Sequence, residues 1–182
     1  EVGIIGLPNA GKSTLLSVIS SAKPKVADYE FTTLTPNLGI IEYGGRRILF
    51  ADIPGLIKGA HLGKGLGVNF LKHIERTKIL VHLLDALRPD PMADYENINN
   101  ELELYSPTLA GKPQIIVFNK MDVIPDKDLN KLKELDFGAD VLYISAVAKT
   151  GLDQLLRAIV KELEDLPTIQ KELETITIKD LP

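Results

Sequence analysis

Six short, mostly apolar runs recur along the chain: Val2–Ile5, Leu38–Tyr43, Arg47–Ala51, Ile79–Leu84, Gln114–Phe118 and Val141–Ile144. Each has the length of a strand and is bounded by turn residues. Between several of them, apolar positions fall at helical spacing. Leu15, Leu16, Val18 and Ile19 predict a helix after the first run. Ile98, Leu102, Tyr105 and Leu109 are spaced for one helix face. Leu152, Leu155, Leu156, Ile159, Val160 and Leu163 give a cleaner stripe, with Thr150 and Asp153 as its expected capping box and Pro167 as its stop. Gly44-Gly45 predicts a tight hairpin, hence one antiparallel strand. Strands alternating with helices predict an α/β fold: a six-stranded, mostly parallel sheet with helices on both faces.

Length and composition narrow the class. The 182 residues suffice for one domain with a real core. No apolar run approaches the roughly 20 residues of a membrane span. There is no cysteine, hence no disulfide framework and no thiolate metal site, which fits a reducing, cytoplasmic setting. The net charge of −4 argues against a wholly electrostatic nucleic-acid binder. Glu1 begins almost on the first strand, as in a domain cut from a longer chain. Residues 168–182 mix charge with Thr and Ile and read as a linker or the start of a C-terminal segment, leaving 1–167 as the domain.

The candidate chemistry begins with Gly6-Leu7-Pro8-Asn9-Ala10-Gly11-Lys12-Ser13-Thr14, which fits the phosphate-loop spacing G-x-x-x-x-G-K-[ST] between a predicted strand and a predicted helix. The two glycines let successive N–H groups turn toward phosphate oxygens. Lys12 is expected to reach the β- and γ-phosphates, and Ser13 to ligate Mg²⁺. The helix adds its positive dipole end.

Four further stretches extend the pattern. In Phe31-Thr32-Thr33-Leu34-Thr35-Pro36, a Thr can supply a second Mg²⁺ ligand while sensing the γ-phosphate; the plain alternative is a β-prone turn. In Asp52-Ile53-Pro54-Gly55, the carboxylate can hold Mg²⁺ through water and the Gly55 N–H can meet the γ-phosphate. Gly55, Gly59, Gly63, Gly65 and Gly67 then make a segment costly to order, suited to a loop that orders with the γ-phosphate. In Asn119-Lys120-Met121-Asp122, the last carboxylate can accept from the N1–H and N2 amine of guanine, a donor pair that adenine lacks. The Lys120 stem can cover the base, and Asn119 can tie this loop to the phosphate loop. In Ser145-Ala146-Val147, a backbone N–H can reach guanine O6.

With these residues in place, the chain resembles the guanine-nucleotide domain of the Obg family of translation-factor-like GTPases. The more specific matches are Lys23-Pro24-Lys25-Val26-Ala27-Asp28-Tyr29, Phe31 to Pro36, Gly55-Leu56-Ile57-Lys58-Gly59-Ala60-His61, Gly65-Leu66-Gly67 and His73-Ile74-Glu75-Arg76-Thr77. The resemblance covers residues 1 to about 166. It implies a Ras-like P-loop fold, GTP hydrolysis, Mg²⁺ on Ser13 and Thr33, and a role in assembly of the large ribosomal subunit through the full-length protein. Lys12, Thr33 and Gly55 are the residues it implies at the reacting phosphate. The family's glycine-rich N-terminal domain has no expected counterpart in these residues. A monomer is expected.

Leu56 stands where Ras-type enzymes carry the Gln that orients water, so hydrolysis is expected to be slow. Asn9 stands where several potassium-activated GTPases resemble this chain, so K⁺ beside Asn9 is a further expectation; the plainer role for Asn9 is to shape the loop. Of the histidines, His82 reads as a core residue, His73 as structural and His61 as a solvated loop residue. Two other classes fit part of the pattern. A P-loop phosphotransferase accounts for residues 6–14 but not for Asp122. A nucleotide-binding interaction module with negligible turnover shares every motif.

Overall fold

The computed structural model describes residues 1–26, 37–53 and 75–166. The Thr-rich loop through Pro36, the stretch from Pro54 through His73, Pro167 and residues 168–182 lie outside the described residues.

Among the described residues, seven strands form one sheet: β1 (Val2–Ile5), β2 (Lys25–Val26), β3 (Asn37–Tyr43), β4 (Arg46–Asp52), β5 (Ile79–Asp85), β6 (Gln114–Asn119) and β7 (Val141–Tyr143). Their order is β2-β3-β4-β1-β5-β6-β7. The six expected strands are all present, and the two-residue β2 adds a seventh at the edge, too short to register as an apolar run. β1 pairs in parallel with β4 and β5, and β5–β6 and β6–β7 are also parallel. β3 alone runs against the rest, joined to β4 through Gly44 (φ 59) and Gly45 (φ 76), with Tyr43 opposite Arg46. Two consecutive positive-φ residues make the hairpin turn whose twist matches the strands.

Burial follows position in the sheet. Every residue of β1 is buried, and only the terminal Asp85 of β5 is not. β3 and β4 instead alternate buried and exposed positions, as strands with one covered face do. Side chains one residue apart go to opposite faces. Val81, Leu83 and Val117 pack with Leu15 and Leu16 of α1 (Lys12–Ile19) and Leu155 and Ile159 of the last helix. Leu80 packs with Ile98 and Leu102 of α2 (Pro91–Tyr105) and Leu109 of α3 (Pro107–Ala110). Leu84, Ile116 and Phe118 pack with Leu132 of α4 (Asp126–Lys133). The last helix is α5 (Leu152–Asp165). Helices therefore cover both faces.

Two sequence expectations are corrected. Ile98, Leu102, Tyr105 and Leu109 do not share one helix: the chain breaks at Ser106, because Pro107 forces the residue before it into extended backbone (φ −156, ψ 106). Ser106 then caps α3, its Oγ accepting from the Leu109 N–H at 3.3 Å. The Thr150–Asp153 capping box does not form either. Gly151, at φ 72, begins α5 without a side-chain cap, and Thr150 instead exchanges two backbone hydrogen bonds with Ser145 at 3.1 Å each.

His82 is a core residue, fully buried on β5. Its Nδ1 meets Gln114 Oε1 at 3.1 Å, and Gln114 Nε2 donates onward to Asn99 Oδ1 at 2.8 Å. Nε2 is buried without a partner among the described residues. A proton there finds no acceptor, and burial lowers the pKa from the ordinary 6.5 to about 4, against the opposing effect of the Gln114 hydrogen bond. Because the folded state holds the ring neutral while the unfolded chain protonates it below pH 6.5, His82 stabilises the fold above pH 6.5. That contribution is lost as pH falls from 6.5 toward 4. Denaturant titrations across this window should show native stability falling about 3 kcal/mol more than that of His82→Gln, which does not titrate. Parallel curves for the two proteins would refute the assignment.

Candidate functional site

The predicted motifs converge at one edge of the sheet, beyond the C-terminal ends of β1, β4, β6 and β7. Parallel α/β sheets place ligand sites at this edge. The first loop runs from β1 into α1. Gly11 has φ 98, and a Cβ there would collide with Asn119 Nδ2, so backbone conformation and close approach both demand glycine. Asn9, exposed, also has positive φ (66), which asparagine tolerates better than most residues. The first helical bond is Leu15 N–H to Gly11 O at 2.8 Å. Among the described residues no side chain caps α1, and no acidic residue lies in its first turn. Its leading N–H groups, from Lys12, Ser13 and Thr14, are therefore open to an anion.

The Lys12 ammonium crosses this loop and donates to Gly6 O and Leu7 O, both at 3.0 Å. Two of its three protons are used, leaving one for a ligand. Desolvation lowers the Lys12 pKa from its ordinary value and nearby Asp52 works in the opposite direction. The group is a partly desolvated cation, stronger toward phosphate than one in open water.

Asp52 ends β4 beside this loop. It is 4% exposed, and its Oδ2 accepts from Ser13 Oγ at 2.8 Å. Its Oδ1 is buried without a hydrogen bond among the described residues. A buried carboxylate oxygen left orphaned, with a hydroxyl beside it, is a hard oxygen donor set of the kind Mg²⁺ takes together with waters and phosphate oxygens. The residues present fit that ion. Ile53, buried after Asp52, donates its N–H to Ile4 O at 3.0 Å, which fixes this strand end to β1. Thr33, Pro54 and Gly55 lie outside the described residues.

Asn119 joins the halves of the site. It is 3% exposed; its Nδ2 donates to Ala10 O at 2.9 Å, and its Oδ1 accepts from the Ala146 N–H at 3.0 Å. One side chain thus spans the phosphate loop and the Ser145-Ala146-Val147 loop. Lys120 follows with φ 69, a left-handed conformation costing about 1 kcal/mol for a residue with a side chain. The Met121 N–H, donating to Ile144 O at 3.1 Å, helps hold that turn. Asp122, exposed, accepts at Oδ1 from Ser145 Oγ at 2.6 Å, and Ser145 Oγ accepts from the Ala148 N–H at 2.9 Å. The Asp122 carboxylate is thus aimed by a buried hydroxyl while its Oδ2 makes no hydrogen bond among the described residues. Of the amides expected to reach a base, Ser145 donates to Thr150 O and Ala146 to Asn119. The Val147 N–H makes no hydrogen bond among the described residues.

Sequence reasoning missed two contributors. Asp85, ending β5, pairs with Lys120 Nζ at 2.7 Å. A carboxylate closing a buried strand at the ligand edge was the available signal. The Ser145 hydroxyl, which orients Asp122, had none, because a three-residue loop does not reveal its partner across the sheet.

Among known proteins, the family model described as 50S ribosome-binding GTPase matches residues 1–120. GTPase Obg of Cyanothece sp. is 56% identical over 170 residues, 91% of this chain but 47% of that protein. The chain thus spans about half the length of this curated relative. Among solved structures, an Era variant of Aquifex aeolicus bound to GDP and AlF4⁻ is 29% identical, with a TM-score of 0.65 over 88% of this chain and 56% of that one. Era in complex with MgGDPNP and a segment of 16S ribosomal RNA is 31% identical, with a TM-score of 0.63 over 88% of this chain and 55% of that one. The loops braced by Asn119, on a sheet shared with these proteins, thus agree with the family match: the chain belongs to the 50S ribosome-binding GTPase family, as a Ras-like GTPase domain of the Obg type.

Proposed function

We propose that this domain is a Mg²⁺-dependent, slowly hydrolysing GTP switch, part of a longer cytoplasmic protein that acts in assembly of the large ribosomal subunit. The observation that carries the reading is Asn119, whose one side chain braces the phosphate loop against the loops that bear Asp122 and Val147. A site so joined suits a ligand with phosphates at one end and a base at the other. Asp122 would accept from the guanine N1–H and N2 amine, and the Val147 N–H would donate to O6. Lys12 and the open N–H groups of α1 would neutralise the phosphates. Ser13, with Thr33, would ligate Mg²⁺, Asp52 standing behind through water. Mg²⁺, when bound, draws charge off the β- and γ-phosphate oxygens. Leu56 can neither donate nor accept a hydrogen bond to water, which supports slow turnover. The family description and the large-subunit name it carries support the ribosomal role. The domain would span residues 1–167, with 168–182 leading onward, and act as a monomer.

The base reading predicts a specificity change. In Asp122→Asn, GTP affinity should fall at least about a hundredfold, from loss of two charge-assisted hydrogen bonds of about 1.5 kcal/mol or more each. Xanthosine triphosphate, whose 2-oxo group accepts from the amide, should become the tighter ligand. Fluorescent nucleotide titration decides this, and GTP still preferred by the variant would count against the reading.

A monovalent cation also fits. The Asn9 side chain is exposed and makes no hydrogen bond among the described residues, so its oxygen is available. K⁺ held there would stabilise charge developing on the phosphates, as an arginine finger does in other GTPases. GTP turnover in K⁺ should exceed that in Na⁺ at equal ionic strength by about tenfold, equivalent to 1.4 kcal/mol of barrier. The advantage should vanish in Asn9→Ala, and equal rates in the two salts would remove the cation.

A further inference from the structure

We propose that Asp85 is a specificity-positioning residue, holding the Lys120 ammonium away from Asp122 so that the guanine reader stays open; this rests on the reading of Asp122 given above. Lys120 and Asp122 are two residues apart on one turn, and no ion pair joins them among the described residues. The structure instead puts Lys120 Nζ on Asp85 Oδ2 at 2.7 Å, with the lysine side chain 30% exposed and the aspartate 15%. Asp122 is engaged by the neutral Ser145 hydroxyl and has no ion-pair partner among the described residues.

Asp85 is anchored for this task from its own strand. Its second oxygen accepts from the Leu87 N–H at 2.9 Å. Asp85 and Asn119 are register partners across β5 and β6, and the Ala86 N–H donates to Asn119 O at 3.1 Å. The carboxylate is therefore fixed relative to the turn that carries Lys120. Pairing orders the long lysine stem before any ligand arrives, so its rotamer entropy is already spent when a base slides against it. Without Asp85, the ammonium is free to turn to Asp122 and compete with the guanine N1–H and N2 donors.

The test reads discrimination, which a merely structural role would not move. Inosine diphosphate lacks the N2 amine, so the ratio of its Kd to that of GDP reports an open Asp122. Asp85→Asn keeps an acceptor for the Leu87 N–H but loses the charge. In that variant the ratio should fall about tenfold toward one, and GDP should dissociate faster. Adding Lys120→Met should restore the ratio, although both affinities drop, because no ammonium remains to block Asp122. Lys120→Met alone should keep a near-native ratio, which provides the test if Asp85→Asn fails to fold as judged by ligand-free melting. An unchanged ratio in Asp85→Asn, or a collapsed ratio in Lys120→Met, overturns the proposal. A native chain that does not prefer GDP to inosine diphosphate overturns the reading of Asp122 itself.

Discussion

The site depends on one buried amide. Asn119 leaves the end of β6 and uses both ends of its side chain at once, its NH₂ on Ala10 O and its oxygen on the Ala146 N–H. Neither bond is exposed, so a loop that drifts away leaves an unpaired buried group, which costs about 1–3 kcal/mol. Gly11 is the complement of this arrangement, since any larger residue would occupy the space of the Asn119 amide. A bend in one loop, a side chain from a second and an amide from a third are therefore mutually required. Each loop is irregular alone, and together they are preorganised for a ligand that spans them.

Charge is arranged with the same economy. The positive groups, Lys12 and the start of α1, lie together at the loop after β1. Asp52 is buried with one oxygen unused among the described residues, a poor arrangement for stability alone and a good one for a divalent cation. At the turn after β6, Lys120 and Asp122 follow Asn119, and Asp85 ends the neighbouring strand. Asp85 pairs with Lys120 at 2.7 Å, while Asp122 takes the Ser145 hydroxyl.

Local chemistry was legible in the sequence, and long-range pairing was not. The phosphate loop could be read because its glycines, lysine and serine lie within nine residues and act through their own backbone. The buried strands could be read because full burial leaves a continuous apolar run. The Gly44-Gly45 hairpin was legible for the same local reason. The break before Pro107 was within reach, but the apolar spacing through Leu109 masked it. The Gly151 start of α5 was obscured by a competing pattern, since Thr150 fits a capping box until Ser145 claims its backbone across the loop. β2 is two residues long and exists only as a partner of β3. Asp85 and the Ser145 hydroxyl act on residues 35 and 23 positions away, through a register that only the folded sheet defines.

The central claim is that these loops form a guanine-nucleotide site that turns over GTP. Single-turnover phosphate release tests it most directly, using the native chain in excess over GTP, with Lys12→Ala prepared identically as the control for contaminating hydrolase. The account predicts slow release of one phosphate per GTP in Mg²⁺ from the native chain, none in chelator, none from ATP, and none from the variant. Release from ATP as fast as from GTP, or native and Lys12→Ala proteins indistinguishable, would contradict it.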